Sequence, residues 1–69
     1  MGLQGKKTTI FKLKGLRVQN NYTQEEMAEK LNISKATYAR KENGVSGFNS
    51  FEITEILNIF GVRYEEIFC

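Results

Sequence analysis

The chain has 69 residues, of which 41% are hydrophobic and 26% charged, and its formal net charge is +2. This length allows one domain with a small core, and no apolar run approaches the roughly 20 residues that span a bilayer. The sequence holds no His, no Asp and a single Cys, which excludes a His-based catalytic pair, a zinc site with several Cys or His ligands and an internal disulfide. Since no signal-peptide pattern opens the chain either, we expect a cytoplasmic protein that is not an enzyme and uses no metal or cofactor.

Charge is divided unevenly along the chain. Through Lys41 there are nine Lys and Arg residues against three Glu, whereas from Glu42 onward one Arg stands against five Glu. The sequence therefore predicts a basic end and an acidic end. Such asymmetry is what a single surface facing phosphate requires.

The first nine residues, which include two Gly and two Lys, show little periodicity. We predict that residues 1–9 form a flexible arm and that residues 10–69 form the domain. Lys6 and Lys7 of the arm could contact phosphate, although a solvated tail is the simpler interpretation.

A first helix is predicted from about Ile10 to Asn20. Apolar residues recur in this segment with a helical pattern, namely Phe11, Leu13, Leu16 and Val18. Gly15 lies inside the pattern and costs about 1 kcal/mol relative to Ala. Close packing of another helix is one explanation for a glycine at this position.

The next segment predicts a helix that begins after Thr23. Thr23 and Glu26 have the spacing of a capping box, in which each side chain accepts a hydrogen bond from the other residue's backbone N–H. Apolar residues then recur on one helical face, namely Met27, Ala28 and Leu31. Asn32 follows where a left-handed residue ends a helix.

A third helix, KATYARKE, follows the predicted N-cap Ser34 and stops at Asn43-Gly44. Tyr38 and the stem of Lys41 can face inward, whereas the opposite face is small and basic. That outer face consists of Lys35, Ala36, Ala39 and Arg40. Two cations beside methyl groups suit the DNA major groove, where Arg or Lys bonds the guanine edge and a methyl touches thymine. A solvated surface is the alternative interpretation.

After the third helix, residues 45–48 predict a loop from which Phe48 turns into the core. Asn49 with Glu52 gives another N-cap followed by an acid at the third helical position. The clearest amphipathic stripe of the chain comes next, formed by Ile53, Ile56, Leu57 and Phe60. Gly61 ends this fourth helix, and a short fifth helix over residues 64–68 completes an all-α domain.

These segments resemble the Cro/phage-repressor (Xre-type) helix-turn-helix family, and in particular its short single-domain members. The resemblance is carried by T-Q-E-E-x-A-E-K-L-N-I-S-K-A-T-Y from Thr23 onward, followed by E-N-G at the right distance. It implies a compact five-helix, lambda-repressor-like domain with its helix-turn-helix at about 23–42. It also implies a sequence-specific transcriptional regulator, expected to be a repressor, that places helix 35–42 in the major groove of double-stranded DNA.

The resemblance assigns roles to individual positions. Gln24 would bind a DNA phosphate and brace Lys35. Arg17 and Glu42 would form an internal ion pair, so Arg17 is not counted as a DNA contact. The positions that match the family's DNA contacts are Gln24, Ser34, Lys35, Ala36, Thr37, Arg40 and Asn43.

The family typically binds as a dimer, so a homodimer is expected, with no evident small-molecule effector. Candidate dimer contacts are Tyr64, Ile67, Phe68, Cys69, Phe51 and Ile59. One departure from the family is the uncharged V-S-G-F loop after E-N-G, where basic residues are common. It supports a rival hypothesis, in which an antirepressor-like or antitoxin-like protein-interaction module keeps the fold with little DNA binding.

Overall fold

The structure is a computed structural model that describes the backbone of residues 2–68 and the side chains of residues 9–68. Within these residues there are five α-helices and no strand, which confirms the predicted all-α fold. The helices are α1 (Gly2–Gln19), α2 (Gln24–Leu31), α3 (Lys35–Glu42), α4 (Ser50–Phe60) and α5 (Tyr64–Ile67). None of the described helices is both long and apolar enough to cross a membrane.

The first helix begins at Gly2, well before the predicted start near Ile10. The sequence contains no proline, so no residue in this segment interrupts the helical backbone. The division into an arm over 1–9 and a domain over 10–69 stays a prediction. The side chains of Lys6 and Lys7, and all of Cys69, lie outside the described residues.

The helix-turn-helix unit is set by local capping chemistry. Thr23 Oγ1 accepts from the Glu26 N–H at 3.0 Å, and the Glu26 carboxylate accepts from the Thr23 N–H at 2.8 Å, so the predicted capping box is present. Asn32 ends α2 in the left-handed conformation, with φ 61°. Ser34 Oγ then accepts from the Thr37 N–H at 3.1 Å and starts α3. A turn of three residues therefore separates the two helices.

The core forms where α1, α2, α3, α4 and α5 converge. Its fully buried apolar side chains are Leu13, Met27, Ala28, Leu31, Tyr38, Ile56 and Ile67. Phe48 packs from the loop between α3 and α4, and its ring centroid lies 6.1 Å from Tyr38 and 6.2 Å from Phe68. Phe48 thus closes the core, as its apolar character in a polar loop predicted.

Part of the apolar pattern of α1 does not face this core. Phe11 and Val18 are 67% and 63% exposed. They are seven residues apart, which is about two helical turns, so they share one face of α1, opposite the buried Leu13. Ile67, a candidate dimer contact from the sequence, is fully buried. Its side chain belongs to the core and is removed from the set of candidate dimer contacts.

Candidate nucleic-acid interface

The outer face of α3 presents a small, basic surface. Lys35, Ala36 and Arg40 are exposed, whereas Tyr38 and Glu42 on the opposite face are buried. An eight-residue helix spans about 12 Å, so the two exposed cations lie within reach of a few successive base pairs. The surface consists of two long cations with a methyl group between them.

Hydrogen bonds connect three of the expected DNA contacts on this face. The Ser34 hydroxyl donates to Thr37 Oγ1 at 2.9 Å, and Arg40 Nη2 donates to the same Thr37 oxygen at 3.4 Å. Positions three residues apart are neighbours on a helix surface, so this row follows from sequence spacing. The 3.4 Å contact is long for a hydrogen bond and Arg40 is exposed, so its guanidinium is only weakly held.

Lys41, the third cation of α3, is directed away from this surface. Its ammonium lies 2.6 and 2.8 Å from the two carboxylate oxygens of Glu52, which is 2% exposed. Glu52 also accepts from the Asn49 N–H at 2.9 Å and so caps α4. The pair joins α3 to the start of α4 and removes the charge of Lys41 from the outer face. The cap was predictable from the sequence, whereas this ion pair was not.

The C-terminal residue of α3, Glu42, has a buried carboxylate that accepts hydrogen bonds from three side chains. Glu42 is 1% exposed, and its oxygens accept from Arg17 Nε at 2.7 Å, Gln24 Nε2 at 3.0 Å and Tyr38 Oη at 2.9 Å. Burial alone would raise the pKa of Glu42, but hydrogen bonds from these three donors outweigh burial and lower it. Burial and the neighbouring carboxylate raise the pKa of Tyr38 above its ordinary range.

This network contains the Arg17–Glu42 pair that the resemblance implied, and it adds a partner that was not expected. Within residues 9–68 the amide of Gln24 is hydrogen-bonded to Glu42 and not to Lys35. Arg17 also donates through Nη1 to the backbone carbonyl of Tyr22 at 2.9 Å. The network therefore joins α1, α2 and α3 through side chains that the sequence places far apart.

An open groove of about 590 Å³ lies beside the first turn of α2. Its lining residues are Arg17, Val18, Asn21, Tyr22, Thr23, Gln24, Glu25 and Lys35. The first turn of a helix has unpaired backbone N–H groups and a positive dipole end, which favour an anion. Two cations and two side-chain amides thus line the groove at this helix start, and Glu25 is the one acidic residue among its described lining residues.

The segment after α3 presents polar and apolar groups without a cation. Asn43 is exposed, and Gly44 turns the chain with φ 80°. The Val45 N–H donates to the Arg40 carbonyl at 2.9 Å, and the Val45 side chain is 73% exposed. The expected contact at Asn43 is accessible, while the loop beyond it offers no charge to phosphate.

Comparison with known proteins adds two findings. A family model described as helix-turn-helix matches residues 13–67. A curated relative, an uncharacterized HTH-type transcriptional regulator of Methanocaldococcus jannaschii, is 39% identical over 57 residues, which cover 83% of this chain and 86% of the relative. No solved structure matches the chain. The matched residues include the groove beside α2 and the whole of α3.

Proposed function

The chain belongs to the helix-turn-helix family and is a DNA-binding transcription regulator, and from this premise we propose that it recognises a specific operator by placing α3 in the major groove. Repression is the proposed outcome, because a protein bound across a promoter blocks access to it. The proposal includes a cytoplasmic location and a role without catalysis.

This proposal rests on how the charged side chains of α3 are distributed between its inner and outer faces. Lys41 and Glu42 are paired on the inner side, with Glu52 and Arg17 respectively. Lys35 and Arg40 remain on the exposed side. A helix that only covered a core would have no need to keep its outer face free of acidic groups, whereas a helix that lies against phosphates and guanine edges does.

We assign the contacts by chemistry. Lys35 and Arg40 bond base edges, and the methyl group of Ala36 contacts a thymine methyl. The remaining contacts position the helix on the sugar-phosphate backbone, and they come from Gln24, Ser34, Thr37 and Asn43.

A homodimer is part of the proposal, since one short helix reads few base pairs. Two-fold related copies would place their α3 helices in half-sites about 10 base pairs apart. Tyr64 and Phe51 support a contact at the α4 and α5 end of the domain, because they are 48% and 57% exposed. Tyr64 also stacks on Phe68, with ring centroids 5.3 Å apart, which limits its motion.

Selection of bound fragments from random double-stranded DNA, with sedimentation of the complex, tests this proposal. We expect a two-fold symmetric consensus and two protein chains per fragment. Recovery of unrelated fragments, or of no fragment, would contradict it, since binding through phosphate charge alone carries no sequence preference. That outcome favours the rival hypothesis of a protein-interaction module, for which the uncharged loop containing Val45 is the supporting feature.

A further inference from the structure

The carboxylate of Glu42 contacts side chains from three helices. Its donors are Arg17 of α1, Gln24 of α2 and Tyr38 of its own helix α3. An ionised carboxylate can only accept hydrogen bonds. Each of the three residues must therefore turn a donor group toward Glu42.

This requirement has its largest consequence at Gln24. Arg17 has no acceptor in its guanidinium and presents donors in any orientation, whereas an amide has a donor end and an acceptor end of nearly the same shape. Glu42 Oε1 lies 3.0 Å from Gln24 Nε2 and takes one of its two N–H groups. The second N–H group is left as a donor on a side chain that lines the groove beside α2.

We propose that Glu42 is a positioning residue for DNA binding, which holds the Gln24 amide so that a backbone phosphate in the groove meets an N–H group instead of the carbonyl oxygen. The inference rests on the proposed function, because it assumes that DNA phosphate occupies the groove. Without the carboxylate the amide can rotate by 180°, and its carbonyl oxygen then repels the phosphate.

The surroundings of Glu42 support this role. Arg17 Nε lies 2.7 Å from one carboxylate oxygen, so the carboxylate cannot turn away from Gln24 without breaking that pair. The lowered pKa of Glu42 keeps it ionised, and therefore an acceptor, at neutral pH. Arg17 and Gln24 line the same groove, while the Glu42 side chain is wholly buried behind it.

A double-mutant cycle on DNA affinity separates this role from a purely structural one. The variants are Gln24→Ala, Glu42→Gln and their combination, measured on the selected operator under conditions where each is folded. We expect each single variant to bind roughly tenfold more weakly, the loss typical of one hydrogen bond to a charged group. Glu42→Gln should cause no further loss when Gln24 is already Ala. Additive losses would overturn the inference.

Tyr38→Phe is the matched control, because it removes another hydrogen bond to the same carboxylate but leaves the bond between Glu42 and Gln24. Its DNA affinity should equal that of the wild type, whereas a tenfold loss would point to a general loosening of α3. If Glu42→Gln does not fold, the side-chain amide protons of Gln24 in the wild type provide the test by NMR. The proton bonded to Glu42 should exchange slowly with and without DNA, and loss of that protection on binding would overturn the inference.

These measurements distinguish the inference from the proposed function. A wild-type chain that selects no DNA contradicts the proposed function itself. A wild-type chain that binds its operator, together with an additive cycle, contradicts the role of Glu42 alone.

Discussion

The ammonium of Lys41 lies within 2.8 Å of both carboxylate oxygens of Glu52, across the boundary between α3 and α4. The side chains are 14% and 3% exposed, so the pair is largely withdrawn from water. The ion pair holds α3 against the start of α4. It also leaves Lys35 and Arg40 as the cations of the outer face of α3. In the proposed function, stability and recognition are therefore carried by different charged groups of one helix.

Lys41→Met should destabilise the domain without changing operator affinity. The substitution leaves the buried Glu52 carboxylate without its cation, and we expect the free energy of unfolding to fall by about 2 kcal/mol, less than for a fully buried pair because Lys41 is partly exposed. Urea unfolding measures this change. The double variant Lys41→Met with Glu52→Gln should recover part of the loss, and a single variant as stable as the wild type would show that the pair contributes nothing.

Tyr38→Phe should lower the free energy of unfolding by about 1.5 kcal/mol, the usual value for a hydrogen bond to a charged group. The Tyr38 hydroxyl donates to Glu42 at 2.9 Å in a site with no solvent access. In a domain of this size the change corresponds to a fall in Tm of roughly 6–12 °C. Thermal unfolding followed by circular dichroism checks it, and an unchanged Tm would mean that the hydroxyl is satisfied equally well by water in the unfolded chain.

The stability of the domain should fall in acid partly because of Glu42. Its folded pKa is lowered below the ordinary value of 4.5, so the unfolded chain takes up the proton first as the pH decreases. The stabilisation is complete above the unfolded pKa and is lost as the pH falls through the folded pKa. Unfolding free energies between pH 7 and pH 2 should therefore decline less steeply for Glu42→Gln than for the wild type.

Glu29→Gln, which removes an exposed carboxylate from α2, is the control for that pH series. The free energy of unfolding of this variant should decline with falling pH as steeply as that of the wild type. Equal declines for Glu42→Gln and the wild type would contradict the assignment of acid sensitivity to Glu42.

Gly15→Ala should stabilise α1. A Cβ at Gly15 would meet no described atom within 4 Å, so no described residue makes the close helix packing suggested as a reason for this glycine. We expect a gain of about 0.5–1 kcal/mol from the greater helix propensity of Ala. Gly61→Ala is the matched comparison, because Gly61 has φ 64°. An alanine is strained in that conformation, so the free energy of unfolding of this variant should fall by about 1 kcal/mol. Destabilisation by Gly15→Ala would contradict the expected gain.

Local chemistry made most of the fold predictable. Thr23, Ser34 and Asn49 cap their helices as their positions predicted, and Asn32 and Gly61 end theirs in the left-handed conformation. These features depend on residues within one turn of each other. The sequence contains the information needed to recognise them directly.

Features that depend on how helices cross were not predictable in the same way. The exposure of Phe11 and the burial of Ile67 follow from which side of each helix meets its neighbours, and periodicity alone cannot select that side. The ion pair of Lys41 with Glu52 depends on the angle between α3 and α4. The hydrogen bond from Gln24 to Glu42 likewise depends on a contact between residues 18 positions apart.

In the proposed function the exposed cations of α3 read DNA sequence, and Arg40 provides the most direct test of that claim. The measurement is the ratio of affinities for the selected operator and a scrambled duplex, determined for the wild type, Arg40→Ala and Lys30→Ala at two salt concentrations. Lys30 is exposed on α2 and belongs to none of the proposed DNA or dimer contacts, so its loss matches the change in charge. We predict that Arg40→Ala lowers the ratio roughly tenfold or more while Lys30→Ala leaves it unchanged. An equal ratio for Arg40→Ala and the wild type would contradict the claim.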